Sequence, residues 1–150
     1  VVVNLAGGLT TYGPIERTSA RDFDREVAIN LKSTFLVSQA AIEALAATRG
    51  AIVNVASIAV VEPQAPMAAY VAAKAGIAGF SRSLALELRD RGIRVNAIAP
   101  GMVRTGDNVA TAGSSAAYVE LSALSAGILS LADPASTTTG VILPIKPSVS

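Results

Sequence analysis

The sequence predicts a doubly wound α/β fold, a parallel sheet with helices over both faces, on three observations. Short runs rich in β-branched residues alternate with long helical segments, 20–48 and 68–89. Crossovers of that length join parallel strands, whereas antiparallel neighbours need only a short turn. The strand runs are apolar throughout rather than alternating, as strands covered on both faces are. The 150 residues, 51% apolar and 15% charged, suit one domain with its own core and exclude a disordered chain.

Taken in order, Val1 to Val3 reads as a buried strand. The turn Asn4-Leu5-Ala6-Gly7-Gly8 follows, either a plain strand exit or a place where something approaches the backbone closely. Residues 9–18 form a loop around Gly13-Pro14. Thr18 or Ser19 caps the first helix, with Asp22 in its first turn. Along 20–48, Phe23, Val27, Leu31, Phe35, Ala41, Ile42 and Leu45 recur at helical spacing and mark the packed side. Asn30, a poor helix former in mid-helix, is either an exposed position or kept for a reason. Gly50 ends the helix. Ala51 to Ala56 is the second strand, with Ser57 at its carboxyl end. A loop with Pro63 and Pro66 leads to helix 68–89, where Ala72, Ala73, Ala75, Gly76, Ala78 and Gly79 make a close-packing surface. Asp90-Arg91-Gly92 turns into the strand Ile93 to Ala99, followed by Pro100-Gly101. Residues 102–118 read as a mobile loop with room for a short helix, and Tyr118 to Leu131 as a helix stopped by Asp133-Pro134. Val141 to Ile145 is the last strand, and Lys146 to Ser150 a polar tail.

Composition removes whole classes of function. Without cysteine or histidine there are no disulfides, no thiolate or imidazole metal sites and no Ser-His-Asp catalysis; no metal is expected. Acid–base chemistry is left to Tyr, Lys and carboxylates. Twelve basic and 11 acidic residues, spread along the chain, give no footprint for nucleic acid or an acidic membrane. No apolar run reaches the roughly 18 residues that span a bilayer. No basic segment precedes the opening valines, so no signal peptide is expected and the expected location is cytoplasmic. The chain opens inside a strand without Met, as the later part of a longer protein, or a processed or incomplete one, would.

In parallel sheets the ligand crevice lies at the carboxyl ends of the strands. Asn4, Ser57 and Pro100-Gly101 all fall there. Tyr70 and Lys74, four residues apart, share one helix face. A cation held near a tyrosine favours the phenolate and lowers its pKa toward working pH. Taken singly, Tyr70 is as readily a packed tyrosine and Lys74 a solvated lysine. With Ser57 thirteen residues upstream, after a strand and before a long helix, the set becomes specific.

Here the chain resembles the short-chain dehydrogenase/reductase family. The resemblance is carried by Asn4-Leu5-Ala6-Gly7, by Asn30 in V-A-I-N-L, by I-V-N-V-A-S ending at Ser57, by Tyr70-x-x-x-Lys74, by R-V-N-A-I-A-P-G with Thr105 after it, and by T-G-V-I-L-P-I. It implies a Rossmann-like fold and an oxidoreductase that uses NAD or NADP on a small carbonyl or secondary alcohol. Residue by residue, it implies that Tyr70 is the general acid or base. Lys74 lowers the Tyr70 pKa and holds the nicotinamide ribose, and Ser57 bonds the substrate oxygen. Asn30 holds a water that links Lys74 to solvent. Asn4, Ala6 and Gly7 line the cofactor cleft, and Pro100, Gly101 and Thr105 lie along the nicotinamide. The spacing of the pair is closer to the carbonyl/alcohol branch than to the enoyl-reductase branch. The family's glycine-rich, pyrophosphate-binding opening, roughly the first third of the fold, does not precede Val1, so the fold is expected to be N-terminally truncated. Lys146-Pro147-Ser148 stands where the family often has Asp-Gly-Gly.

Residues 1–150 are thus expected to be the catalytic C-terminal part of a Rossmann-type oxidoreductase. A catalytically inactive truncated homologue acting as a binding or assembly module is the alternative. Epimerase or dehydratase chemistry on Tyr and Lys is a third reading, one that calls for a separate substrate domain. The family's assemblies imply a homodimer or homotetramer through helices 20–48 and 68–89. Loop 58–68 and segment 102–126 are expected to line the substrate pocket, with Val60, Val61, Met67 and Met102 favouring an apolar substrate.

Overall fold

The computed structural model describes residues 1–147; of the expected polar tail, 148–150 lie outside the described residues. Four strands pair in chain order into one parallel sheet: β1 (Val2–Asn4), β2 (Ala51–Val55), β3 (Arg94–Pro100) and β4 (Ile142–Ile145). In register, Val3 lies beside Val53, Val53 beside Asn96, and Ile98 beside Leu143. The fold is α/β and Rossmann-like, as the strand–helix alternation predicts. The helices are α1 (Ala20–Val27), α2 (Ser33–Thr48), α3 (Ala68–Glu87), α4 (Gly106–Ala112) and α5 (Leu121–Ala132).

Side-chain alternation along the strands sorts the core into two layers. On one face Ile52 and Val95 pack with Leu45 of α2 and with Leu84 and Ala85 of α3. Nearer the strand ends Ala97 and Ala99 meet Ile77 of α3. On the opposite face Val53 and Ile98 pack with Leu131, Leu124 and Ile128 of α5. Gly127 lets α5 lie against the sheet, since a Cβ there would sit 2.8 Å from Ile98 Cδ1. β1 is an edge strand, so Val2 and Val3 are half-buried rather than buried as expected.

Segment 20–48 is one helical rod with a π turn, Ala28–Lys32, between α1 and α2. Ser19, rather than Thr18, caps it, its hydroxyl accepting the Asp22 N–H at 3.1 Å. Its C-terminus is set by Arg49, in the left-handed region at φ 49, rather than by Gly50. The Gly50 N–H closes the cap on Leu45 O at 2.9 Å, and a Cβ at Gly50 would lie 2.6 Å from Leu45 Cδ2.

The buried stripe of this rod differs from the expected one. Glu26, Asn30, Thr34 and Ser38, four residues apart in turn, are all buried, whereas Phe23 and Phe35 are each 41% exposed. Polar groups take the inner side because each finds a partner there; Thr34 Oγ1, for example, donates to Asn30 O at 2.9 Å. On α3, Ala73, Ile77 and Ala78 are buried and Gly76 admits Leu31 of the π turn, while Ala72, Ala75 and Gly79 face outward.

Segment 102–118 contains α4, capped by Thr105, whose hydroxyl accepts the Asn108 N–H at 3.3 Å. Helix α5 begins at Leu121 instead of Tyr118. Val119 is held extended, its N–H on Met102 O at 2.8 Å and its carbonyl accepting from Arg104 N at 2.9 Å. Lys146, in the expected tail, forms an ion pair with Glu62 of loop 58–67.

Candidate active site

β2 delivers Ser57 to the sheet's carboxyl edge, and the first two turns of α3 deliver Tyr70 and Lys74 to the same place. Ser57 is buried and caps a single 3-10 turn, Ile58–Val60, by accepting the Ala59 N–H at 3.2 Å. Its hydroxyl also acts on the Tyr70 phenol, as a donor to the phenolic oxygen does. Lys74 is 4% exposed, and its ammonium donates to Val55 O at 2.9 Å. Two of its three N–H groups have no partner among the described residues.

The pair does not titrate as the spacing alone suggested. Burial pushes the Lys74 ammonium down to about 8, with the Glu26 carboxylate opposing the shift. Burial also raises Tyr70, with the Ser57 hydroxyl pulling it down and Glu26 pushing it up. The expected lowering of Tyr70 is therefore corrected. Lys74 Nζ sits over the Tyr70 ring, 5.8 Å from its centre, and desolvation of the phenolate prevails.

Asn30 is buried, which removes the exposed-helix alternative. Its Oδ1 accepts the Gly8 N–H at 3.0 Å, and its Nδ2 lies 3.0 Å from Gly8 O, 3.1 Å from Glu26 O and 2.9 Å from Glu26 Oε2. No hydrogen bond joins Asn30 to Lys74 among the described residues. Both flank Gly7, whose φ of 137 is closed to other residue types. A Cβ there would meet Asn30 Oδ1 at 2.4 Å and Lys74 Nζ at 3.4 Å.

The remaining expected residues divide. Ala6 and Gly7 are exposed on the turn at the end of β1, and Gly7 lies beside Asn30 and Lys74. Asn4 has its Nδ2 engaged inside the sheet-to-helix layer, where it donates to Ser38 Oγ at 3.1 Å and Asn54 Oδ1 at 2.8 Å. Pro100 and Gly101 end β3, with the Gly101 N–H on Ile145 O at 2.9 Å. Thr105 is exposed at the start of α4. A cleft of about 740 Å³ lies between residues 13–16 and 63–68, with Met67 and Val71 in its wall. None of Ser57, Tyr70 and Lys74 lines it, so it is distinct from the crevice in which those residues meet.

Glu26 escaped the sequence reading. Its carboxylate is fully buried; Oε1 accepts from Thr10 N at 2.5 Å, Thr10 Oγ1 at 2.9 Å and Thr11 N at 2.5 Å. The signal was present as E-x-x-x-N-x-x-x-T-x-x-x-S, a polar stripe at the spacing of one helix face.

A parallel sheet with a Tyr–Lys pair and a serine at its strand ends defines a Rossmann-like α/β protein with a polar crevice. Residues 1–114 match the family described as short chain dehydrogenase, and the chain belongs to that family. It is 43% identical over 107 residues to the (3R)-3-hydroxyacyl-CoA dehydrogenase of Canis lupus familiaris, 70% of this chain and 41% of that protein. It is 42% identical over 99 residues to a 3-oxoacyl-[acyl-carrier-protein] reductase of Rickettsia bellii, 65% of this chain and 41% of that one. The chain spans about two fifths of the length of the curated relatives it matches. Among solved structures, ElxO with NADP bound superposes with a TM-score of 0.86 at 26% identity, over 95% of this chain and 64% of ElxO. An NAD+-bound xylitol dehydrogenase superposes with a TM-score of 0.85 at 28% identity, over 97% and 67%. No helix among the described residues is long and apolar enough to cross a membrane.

The residues that line the crevice fit a nicotinamide nucleotide. Lys74 holds two unpartnered N–H groups in a buried position, suited to ribose hydroxyls. Gly7, pressed against Asn30, puts no side chain into the space between the turn and Lys74.

Proposed function

We propose that residues 1–150 carry the catalytic part of a Rossmann-type oxidoreductase that uses NAD or NADP on a small carbonyl or secondary alcohol. The observation that carries this reading is Lys74: a buried ammonium with two unused donors beside Tyr70 and Ser57. The nicotinamide, when bound, supplies or takes up the hydride. Tyr70 gives its phenolic proton to the carbonyl oxygen in reduction and removes the hydroxyl proton in oxidation. Ser57 donates its hydroxyl proton to the same oxygen as charge develops there. Lys74 binds the ribose hydroxyls and, once a ligand closes the crevice, brings its positive charge to bear on Tyr70. A water between Lys74 and Asn30 Oδ1, beside Gly7, completes a path to solvent.

We also read the outward stripe Ala72, Ala75 and Gly79, with half-exposed Phe35 alongside, as the face of a homodimer or homotetramer, which light scattering tests. A cytoplasmic location accords with this reading.

Two measurements test the function. Nicotinamide fluorescence should change when the chain is added to NADH or NADPH at millimolar concentration; no change favours a binding or assembly module instead. Tyr70→Phe should lower kcat by about 10² to 10⁴ with little change in cofactor Kd. Unchanged turnover would remove Tyr70 from the reaction.

A further inference from the structure

Glu26 is the one buried carboxylate among the described residues, and the reaction proposed above leaves it without a role. We propose that Glu26 is a positioning residue: its carboxylate fixes the orientation of the Asn30 amide and clamps the turn after β1 onto the helical rod. The proposal rests on the preceding reading only in that Asn30 belongs to the relay.

Donors and acceptors fix the amide orientation. Gly8 offers both an N–H and a carbonyl to the Asn30 side chain, at 3.0 Å each. That pairing holds for one amide orientation alone, with Oδ1 toward the N–H and Nδ2 toward the carbonyl. Nδ2 then also faces Glu26 Oε2 at 2.9 Å, so Oε2 must accept. The other oxygen must accept as well, because Thr10 N, Thr10 Oγ1 and Thr11 N all point at it. An ionised carboxylate accepts at both oxygens; a glutamine cannot. With its oxygen toward Thr10 and Thr11, the glutamine NH2 opposes Asn30 Nδ2. Flipping Asn30 to receive it puts an NH2 against the Gly8 N–H. No arrangement of two amides satisfies the site, so substitution disturbs Asn30 and the Gly7–Gly8 turn together. Gly7 lies between Asn30 and Lys74, since a Cβ there would meet both Asn30 Oδ1 and Lys74 Nζ, so a displaced turn is felt at Lys74. Lys74 and Tyr70 of α3 are the titratable groups that feel the Glu26 charge, and Arg25 reaches Thr10 O from the exposed side at 3.4 Å.

The test uses the 150-residue chain with isotope-labelled Asn and Lys, with Glu26→Gln, Asn30→Ala and the double variant. Glu26→Gln should shift the Asn30 side-chain amide resonances and move the Lys74 titration midpoint further below the wild-type value of about 8. It should lower the folding equilibrium constant by about tenfold or more, and by several-fold less when Asn30 is already Ala, because the opposed amides are gone. If Glu26→Gln alone does not fold while the double variant does, the coupling is shown in its strongest form. Equal costs in the two backgrounds, or Asn30 resonances and a Lys74 midpoint that Glu26→Gln leaves in place, would overturn the proposal. None of these readouts uses cofactor or turnover, so they stand or fall apart from the oxidoreductase reading.

Discussion

Two buried polar clusters lie on the same side of the sheet, served by the same stripe of the first helical rod, yet they differ in what they leave unused. The first joins Asn4, Ser38, Asn54 and Ser81. Asn4 donates to Ser38 and Asn54, Asn54 donates to Ser81 at 2.8 Å, and Ser81 donates to Ile77 O at 2.7 Å. It ties β1, β2, α2 and α3 together inside the sheet-to-helix layer. The second joins Ser57, Tyr70 and Lys74, with Asn30 and Glu26 behind them. It leaves two Lys74 N–H groups without acceptors among the described residues and opens on the exposed turn Ala6-Gly7. Burial of polar groups alone therefore does not mark a site. Unused hydrogen-bonding capacity beside an opening does.

The sharpest way to break the comparison is Asn54→Leu. It removes an acceptor from Asn4 and a donor from Ser81, both fully inside the layer. Leaving one buried polar group unpaired costs about 1–3 kcal/mol, so a loss of about 2–4 kcal/mol in denaturant unfolding is expected. The Lys74 titration should stay in place. A shift there would join the two clusters into one and dissolve the distinction.

Lys74 supplies the next test, through pH. Its folded pKa, about 8, lies below the ordinary 10.5, so between those values the unfolded chain binds more protons. Stability should therefore rise with pH across that window, and be lost as pH falls through about 8. Tyr70 works in the opposite sense: its pKa is raised above 10.0, so stability falls as pH climbs beyond that value. A maximum between about pH 10 and 10.5 is expected, with a rise of about 1–3 kcal/mol from pH 7. Lys74→Met should flatten the rise, and a flat profile in the unaltered protein would mean that Lys74 is not held dry.

These clusters also show what the sequence made legible. Strand runs and their order were readable because parallel strands are apolar on both faces, and Tyr70, Lys74 and Ser57 met at one edge because topology places strand ends there. The inner side of segment 20–48 was misread for a physical reason. Apolar periodicity finds stripes that exclude water, whereas Glu26, Asn30, Thr34 and Ser38 are buried by satisfying one another and their neighbours. A polar stripe at four-residue spacing looks like a solvent face until its partners are known, and those partners lie on Gly8, Thr10 and Asn4, distant in sequence. The Tyr70 shift was hidden likewise, since spacing gives the cation's proximity and not the burial that opposes it.

Ser38→Ala has the smallest expected effect and discriminates most finely. Ser38 lies eight residues from Asn30 on the buried stripe, but it serves the first cluster, accepting from Asn4 Nδ2. Its removal leaves Asn4 still bonded to Asn54, so the loss should be about 1 kcal/mol, the ordinary net worth of one hydrogen bond. Asn30 resonances and the Lys74 midpoint should not move. If they do, the stripe transmits along its length, and Glu26, Asn30, Thr34 and Ser38 act as one polar spine. If they do not, the division between clusters falls between Thr34 and Ser38, within a single turn of α2.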